Sequence, residues 1–107
     1  MIGILDYGLG NIASISNSLN LISKKNFFVS SKKDFDKASH LIIPGVGSYL
    51  TGMKILKEKN FVDEIVKFSL SKPLLGICLG MQILSTTGSE FEKINGLNLI
   101  QGNVIKF

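Results

Sequence analysis

The sequence predicts an α/β domain, a doubly wound and mostly parallel sheet with helices on both faces. Three observations carry that expectation. Short apolar runs (MIGILD, FFV, HLII, PLLGI) alternate with segments of helical period, the pattern of βαβ units. Right-handed crossovers between parallel strands then place helices on both faces. Three of the runs stop at glycine-rich turns, YGLGN, PGVG and GICLG, where a chain leaves a strand.

The elements follow in order. MIGILD is a buried strand that ends in the turn Asp6-Tyr7-Gly8-Leu9-Gly10. Asn11 suits an N-cap, because its side-chain oxygen can accept an amide of the first turn. Ile12, Ile15, Leu19 and Ile22 recur at spacings of 3, 4 and 3, one apolar helical face. Phe27–Val29 is a second strand, and Lys32–Ala38 a polar connection with room for one helical turn. His40–Ile43 is a third strand, stopped by Pro44-Gly45-Val46-Gly47. Helices are expected over Tyr49–Lys57 and Phe61–Leu70; in the second, Phe61, Ile65 and Phe68 share a face, with Val62 and Val66 beside them. Pro73–Ile77 is a fourth strand, and Leu79–Ser85 opens another helix. The tail GLNLIQGNVIKF has strand-like pieces broken at Gly102. The order expected is flavodoxin-like, 2-1-3-4, with chemistry at the carboxyl ends of the strands. Residues 1–107 are read as a single domain.

Composition narrows the function classes. Apolar residues make up 45% of the 107, enough for a core. No apolar run approaches the 18 residues of a membrane span, and no basic, apolar leader follows Met1, so a cytoplasmic setting is expected. One cysteine and one histidine make neither an internal disulfide nor a zinc site, and no metal or cofactor is expected. The formal charge is +4, yet all twelve basic residues are lysines, scattered in small groups. Nucleic-acid readers lean on arginine for paired contacts, so these lysines are read as solvated faces and no nucleic-acid partner is expected.

In a parallel sheet the three glycine turns meet at one edge. Gly76-Ile77-Cys78-Leu79-Gly80 has the spacing of a nucleophile elbow, whose sharp turn lifts the middle side chain out of the sheet. The attacking species is the thiolate, and a helix N-terminus favours an anion beside it. The Leu79 amide is then placed to face a developing oxyanion, and PGVG can supply the second donor through a glycine-flanked amide. The blander alternatives are a small cysteine at a strand end and a turn leaving a strand. Gly8-Leu9-Gly10-Asn11-Ile12-Ala13 also matches G-x-G-x-x-A, the dinucleotide fingerprint. Against that reading, Asp6 would repel a pyrophosphate, and no acidic residue ends the second strand.

Taken together, Asp6–Asn11 (DYGLGN), Leu41–Tyr49 (LIIPGVGSY), Pro73–Leu84 (PLLGICLGMQIL), Ser89-Glu90 and GLNLIQGNVIKF resemble the class I glutamine amidotransferases. Within that class they are most similar to the glutaminase subunits of imidazole glycerol phosphate synthases, and the resemblance runs from end to end of the chain. It implies that Cys78 is the nucleophile that forms a glutamyl thioester, and that Gln82 and Glu90 hold the substrate glutamine. Gly45, Val46 and Gly47 would be the oxyanion loop, whose peptide must turn to complete the hole, with Leu79 as the second amide donor. The implied partner is a (β/α)8-barrel cyclase that receives the ammonia in histidine biosynthesis, bound as a heterodimer with Asn11 near the docking face. The family's triad histidine and glutamate stand in a His-x-Glu near the C-terminus of longer chains, and residues 1–107 hold no such pair. They are therefore expected to form the N-terminal part of the domain and to have little glutaminase activity alone. His40 begins the third strand and is expected at the edge opposite Cys78. Glu90 and Glu92 are poor substitutes for the base, since a carboxylate beside a thiol disfavours the thiolate. An inactive docking module for a cyclase and an amidotransferase serving another synthase, such as one amidinating a surface sugar, would carry the same motifs.

Overall fold

The computed structural model describes residues Met1–Phe107. Four parallel strands form the main sheet: β1 (Ile2–Leu5), β2 (Asn26–Val29), β3 (His40–Ile43) and β4 (Leu74–Gly76), in the order β2-β1-β3-β4. This is the order the sequence predicts. The register sets Ile2 beside Asn26 and His40, and Leu41 beside Leu74, so all four strands end at the same edge.

Helices lie on both faces, and the two-residue period of the strands shows which residues meet which layer. Leu5, Leu41 and Ile43 point into the main core. There they meet Phe35 of α2 (Asp34–Lys37), Met53 and Leu56 of α3 (Tyr49–Glu58), and Ile65 and Phe68 of α4 (Val62–Ser69). The Phe35 and Phe61 rings pack edge to face at 5.4 Å, a favourable aromatic geometry. Ile42 points the other way, toward Ile15 and Leu19 of α1 (Ile12–Leu21). Helix α1 buries none of its residues fully, and the same sheet carries an exposed Leu75 on β4, one of its two edge strands.

Local chemistry accounts for the helix starts. The Asn11 side chain accepts the Ser14 amide at 3.1 Å and caps α1. Ser48 does the same for α3 through the Thr51 amide at 3.1 Å. Asp34 accepts the Ser30 and Ser31 amides, and these bonds, Ser30's above all, hold its carboxyl below the usual range.

Two expectations are corrected beyond β4. The helix read over Leu79–Ser85 is a single turn, α5 (Leu79–Gln82), and Ser85 already belongs to a strand. That strand, β5 (Ser85–Gly88), is the centre of a second sheet, between an antiparallel β6 (Ile94–Asn95) and a parallel β7 (Ile100–Val104). The helix does not continue because distant amides take the carbonyls that follow it: Leu97 bonds to Ile83, while Leu99 and Ile100 bond to Leu84. The break foreseen at Gly102 is a register shift within one continuous strand, with Gly102 at φ +151°.

Candidate functional site

The site is built where β1, β3 and β4 end. Ile77 carries on beyond β4 by donating its amide to Ile43 at 2.9 Å, and the chain then turns sharply at Cys78. Cys78 has φ 54° and ψ −119°, a backbone state that costs a side-chain-bearing residue about 1–3 kcal/mol. Its thiol is exposed. The flanking glycines are required by contact. A methyl at Gly76 would lie 2.6 Å from the Gly80 carbonyl oxygen and 2.6 Å from the Met81 Cα. A methyl at Gly80 would collide with the Ile43 carbonyl. The elbow spacing read from the sequence is thus met by an elbow in three dimensions.

The three glycine turns do converge. Tyr7, buried at the end of β1, donates its hydroxyl to the Pro44 carbonyl at 2.6 Å. Gly10 (φ +95°) lies so close to the PGVG loop that a methyl there would be 3.0 Å from the Gly45 nitrogen. The Leu79 amide reaches the same loop and donates to the Gly45 carbonyl at 3.2 Å. This last bond occupies the amide that was expected to face a substrate oxyanion. The other amides of α5 are engaged too: Gly80 with Ile77, and Met81 and Gln82 with Cys78. In this resting arrangement all four amides of α5 are engaged.

The remaining candidates are placed less tightly. Gln82 lies one turn after Cys78, and Glu90 lies just past β5; both are half-buried, and neither side chain makes a hydrogen bond. Val46 is 63% exposed, and Gly47 (φ +113°) has open space around its Cα. Asn11 is exposed at the same edge as its cap on α1. His40 pairs with Ile2 at the start of β3 and shares a cavity with Met1, Lys24 and Lys25, at the edge opposite Cys78. Glu92 is exposed. No cavity is lined by Cys78, so these residues present the thiol on an open surface.

Tyr7 is the residue that sequence reasoning passed over. It reads as a turn filler between Asp6 and Gly8, although a buried phenol needs a hydrogen-bond partner and so hints at one. Burial pushes its pKa from 10.0 up to about 12. Between those values the unfolded chain gives up the phenol proton while the folded chain keeps it. Stability tied to this group is therefore intact below pH 10.0 and falls as pH rises toward about 12. Ultraviolet titration of the wild type against Tyr7→Phe should show that the phenol lost in the variant ionises well above pH 10.0. Two tyrosines both titrating near the ordinary value in folded protein would contradict the burial.

A doubly wound sheet that raises a strained cysteine on a strand-to-helix elbow is the architecture of proteins that carry out thiol-dependent acyl transfer. Residues 10–105 match the CobB/CobQ-like glutamine amidotransferase domain, and the chain belongs to that family. It is 42% identical, over its whole length, to the imidazole glycerol phosphate synthase subunit HisH of Sulfurimonas denitrificans, covering 52% of that protein. It is 43% identical to the subunit of the same name from Bacillus mycoides, with 99% of this chain and 51% of that protein aligned. The chain thus spans about half the length of the curated relatives it matches. Among solved structures it superposes on one described as a glutamine amidotransferase with TM-score 0.81 at 23% identity, over 97% of this chain and 55% of that one. A protein described as a peptidase E from Listeria monocytogenes gives TM-score 0.74 at 12% identity, over 92% of this chain and 62% of that one. At these identities the two structures speak to the fold. The match to an amidotransferase family leaves the dinucleotide reading without support, and the room beside Gly10 is filled by Gly45.

Proposed function

We propose that residues 1–107 carry the nucleophile side of a glutaminase site, and that the complete protein is the ammonia-producing subunit of an imidazole glycerol phosphate synthase. The observation that carries the reading is the strained, exposed Cys78 at an elbow whose glycines cannot be replaced without collision. The similarity to HisH subunits supports glutamine as the substrate and histidine biosynthesis as the pathway. No helix is long and apolar enough to cross a membrane, and a cytoplasmic setting goes with the pathway.

In this mechanism the Cys78 thiolate attacks the carboxamide carbon of glutamine. A carbon–sulfur bond forms, and the carbonyl pair moves onto oxygen. The oxyanion is held by the Leu79 amide and by an amide of Gly45–Gly47, once the Gly45 carbonyl has turned away from Leu79. The tetrahedral intermediate collapses as the leaving nitrogen takes a proton and departs as ammonia. Water then cleaves the thioester to give glutamate and the free thiol. Gln82 and Glu90 hold the amino-acid end of the substrate. The base that takes the thiol proton comes from outside these residues, since the one histidine is at the far edge. Asn11 and the PGVG loop lie at the edge that faces the (β/α)8-barrel cyclase, which receives the ammonia.

The test is to purify the complete gene product with the cyclase from the same organism and measure glutamate release. Release that depends on Cys78 and rises when the cyclase is added is expected. Failure of the two proteins to associate would contradict the partner, and release that persists in Cys78→Ser would contradict the nucleophile. Association without any release would favour the docking-module reading instead.

A further inference from the structure

We propose that Tyr7 is a positioning residue for the oxyanion loop, its buried hydroxyl anchoring the Pro44 carbonyl so that the next carbonyl, that of Gly45, is held on the Leu79 amide. The proposal rests on the reading of Gly45–Gly47 and Leu79 as the oxyanion site.

The loop is fixed at both ends and free in the middle. At its near end, Tyr7 donates to Pro44 at 2.6 Å, and the β1 turn packs against Pro44 and Gly45 because Gly10 has no side chain. A methyl on Gly45 would run into the Tyr7 hydroxyl, so the tyrosine also limits where the Gly45 Cα can go. At its far end, the Ser48 cap and a buried Tyr49, whose hydroxyl meets the Ser85 hydroxyl at 3.1 Å, fix the start of α3. Between them stand an exposed Val46 and a Gly47 with open space around it.

Such a segment moves by rotation of single peptides between fixed ends. With Pro44 held, the orientation of the Gly45–Val46 peptide is set by a few torsions, and its oxygen rests on the Leu79 N–H at 3.2 Å. Releasing Pro44 widens the range open to that peptide and weakens its hold on Leu79. Tyr7 does not touch the reacting atoms. It acts through the loop, by favouring the state in which the Leu79 donor is occupied.

The test is Tyr7→Phe in the complete gene product, which keeps the ring and removes the bond. Hydrogen exchange at the Leu79 amide is expected to speed up by at least about fivefold, the weight of one buried hydrogen bond. The sheet amides of Asp6 and Leu41, bonded to Val29 and Pro73, should keep their wild-type rates. Glutamine hydrolysis without the cyclase should rise by a similar factor, while the cyclase-saturated rate changes by less than about twofold, so the stimulation ratio falls. Wild-type exchange at Leu79 would overturn the proposal. So would equal acceleration at Leu79 and in the sheet, which marks a merely structural role. If the wild-type pair releases no glutamate, the functional reading fails, and exchange at Leu79 still decides the role of Tyr7. Gly45→Ala probes the same contact from the other side, since its methyl meets the Tyr7 hydroxyl first and Leu79 and Gly80 less closely. It should also speed Leu79 exchange, and by a smaller factor in the Tyr7→Phe background, where the opposing oxygen is gone. Equal factors in the two backgrounds would show two separate contacts and count against the proposal.

Discussion

Cys78→Ser is expected to lower cyclase-stimulated glutamine hydrolysis by at least about a thousandfold, because loss of a nucleophile leaves only binding and oxyanion stabilisation. Stability should respond in the opposite sense when the strain is relieved. The φ of 54° and ψ of −119° at Cys78 are tolerated by glycine and disfavoured for any side chain. The thiol is exposed and packs little, so its removal forfeits little burial. Cys78→Gly should therefore be more stable than Cys78→Ala by about 1 kcal/mol, although both are inactive. Urea unfolding of the two variants checks this. Equal midpoints, or a less stable glycine variant, would mean that the elbow is not under strain. A position held in an unfavourable state while its side chain stands in solvent is hard to explain by packing, and simple to explain by chemistry.

The second large effect is expected at a residue with no side chain. Gly80→Ala drives a methyl into the Ile43 carbonyl, a backbone atom at the end of a fully buried strand residue. Neither side can yield cheaply. Ile43 is locked by the Ile77 amide, and Gly80 lies within the one-turn helix that Leu79 and Ile83 anchor in the core. Overpacking of this kind costs about 3 kcal/mol or more, and here it would also tilt Cys78 and separate Leu79 from Gly45. Gly47→Ala is the control. It meets no neighbour, so its cost is confined to the backbone strain at φ +113°. Thermal unfolding should rank Gly80→Ala well below Gly47→Ala, and the opposite ranking would show that the close approach of α5 to β3 is unimportant.

Much of this was legible in the sequence because it rests on local rules. The β2-β1-β3-β4 order follows from alternating apolar runs and helical periods. The cap at Asn11 and the elbow at Gly76–Gly80 follow from residue types at fixed spacing. The convergence of three turns follows from parallel strands alone. What the sequence did not reveal depends on partners far away in the chain. Ser85 reads as part of the helix opened at Leu79 until Leu97, Leu99 and Ile100 arrive to take the Ile83 and Leu84 carbonyls. The bond from Leu79 to Gly45 links residues 34 positions apart and decides whether the oxyanion donor is free or occupied. Tyr7 reaches Pro44 across 37 positions, with nothing in DYGLGN to name its acceptor. The glycines around the site could be counted in advance, but their separate reasons could not. Gly10 makes room for Gly45, Gly76 for α5 and Gly80 for β3, whereas Gly47 meets nothing and leaves its loop free.

The account stands or falls on Cys78 as a nucleophile toward the glutamine carboxamide. The most direct measurement is covalent trapping. The complete protein, bound to its cyclase, is incubated with a glutamine analogue carrying a diazoketone in place of the amide, and the adduct is located by peptide mass spectrometry. The prediction is one adduct per chain on Cys78, slowed by added glutamine and absent from Cys78→Ser. An unmodified Cys78 in a complex that still binds its partner, or labelling that glutamine does not slow, would contradict it.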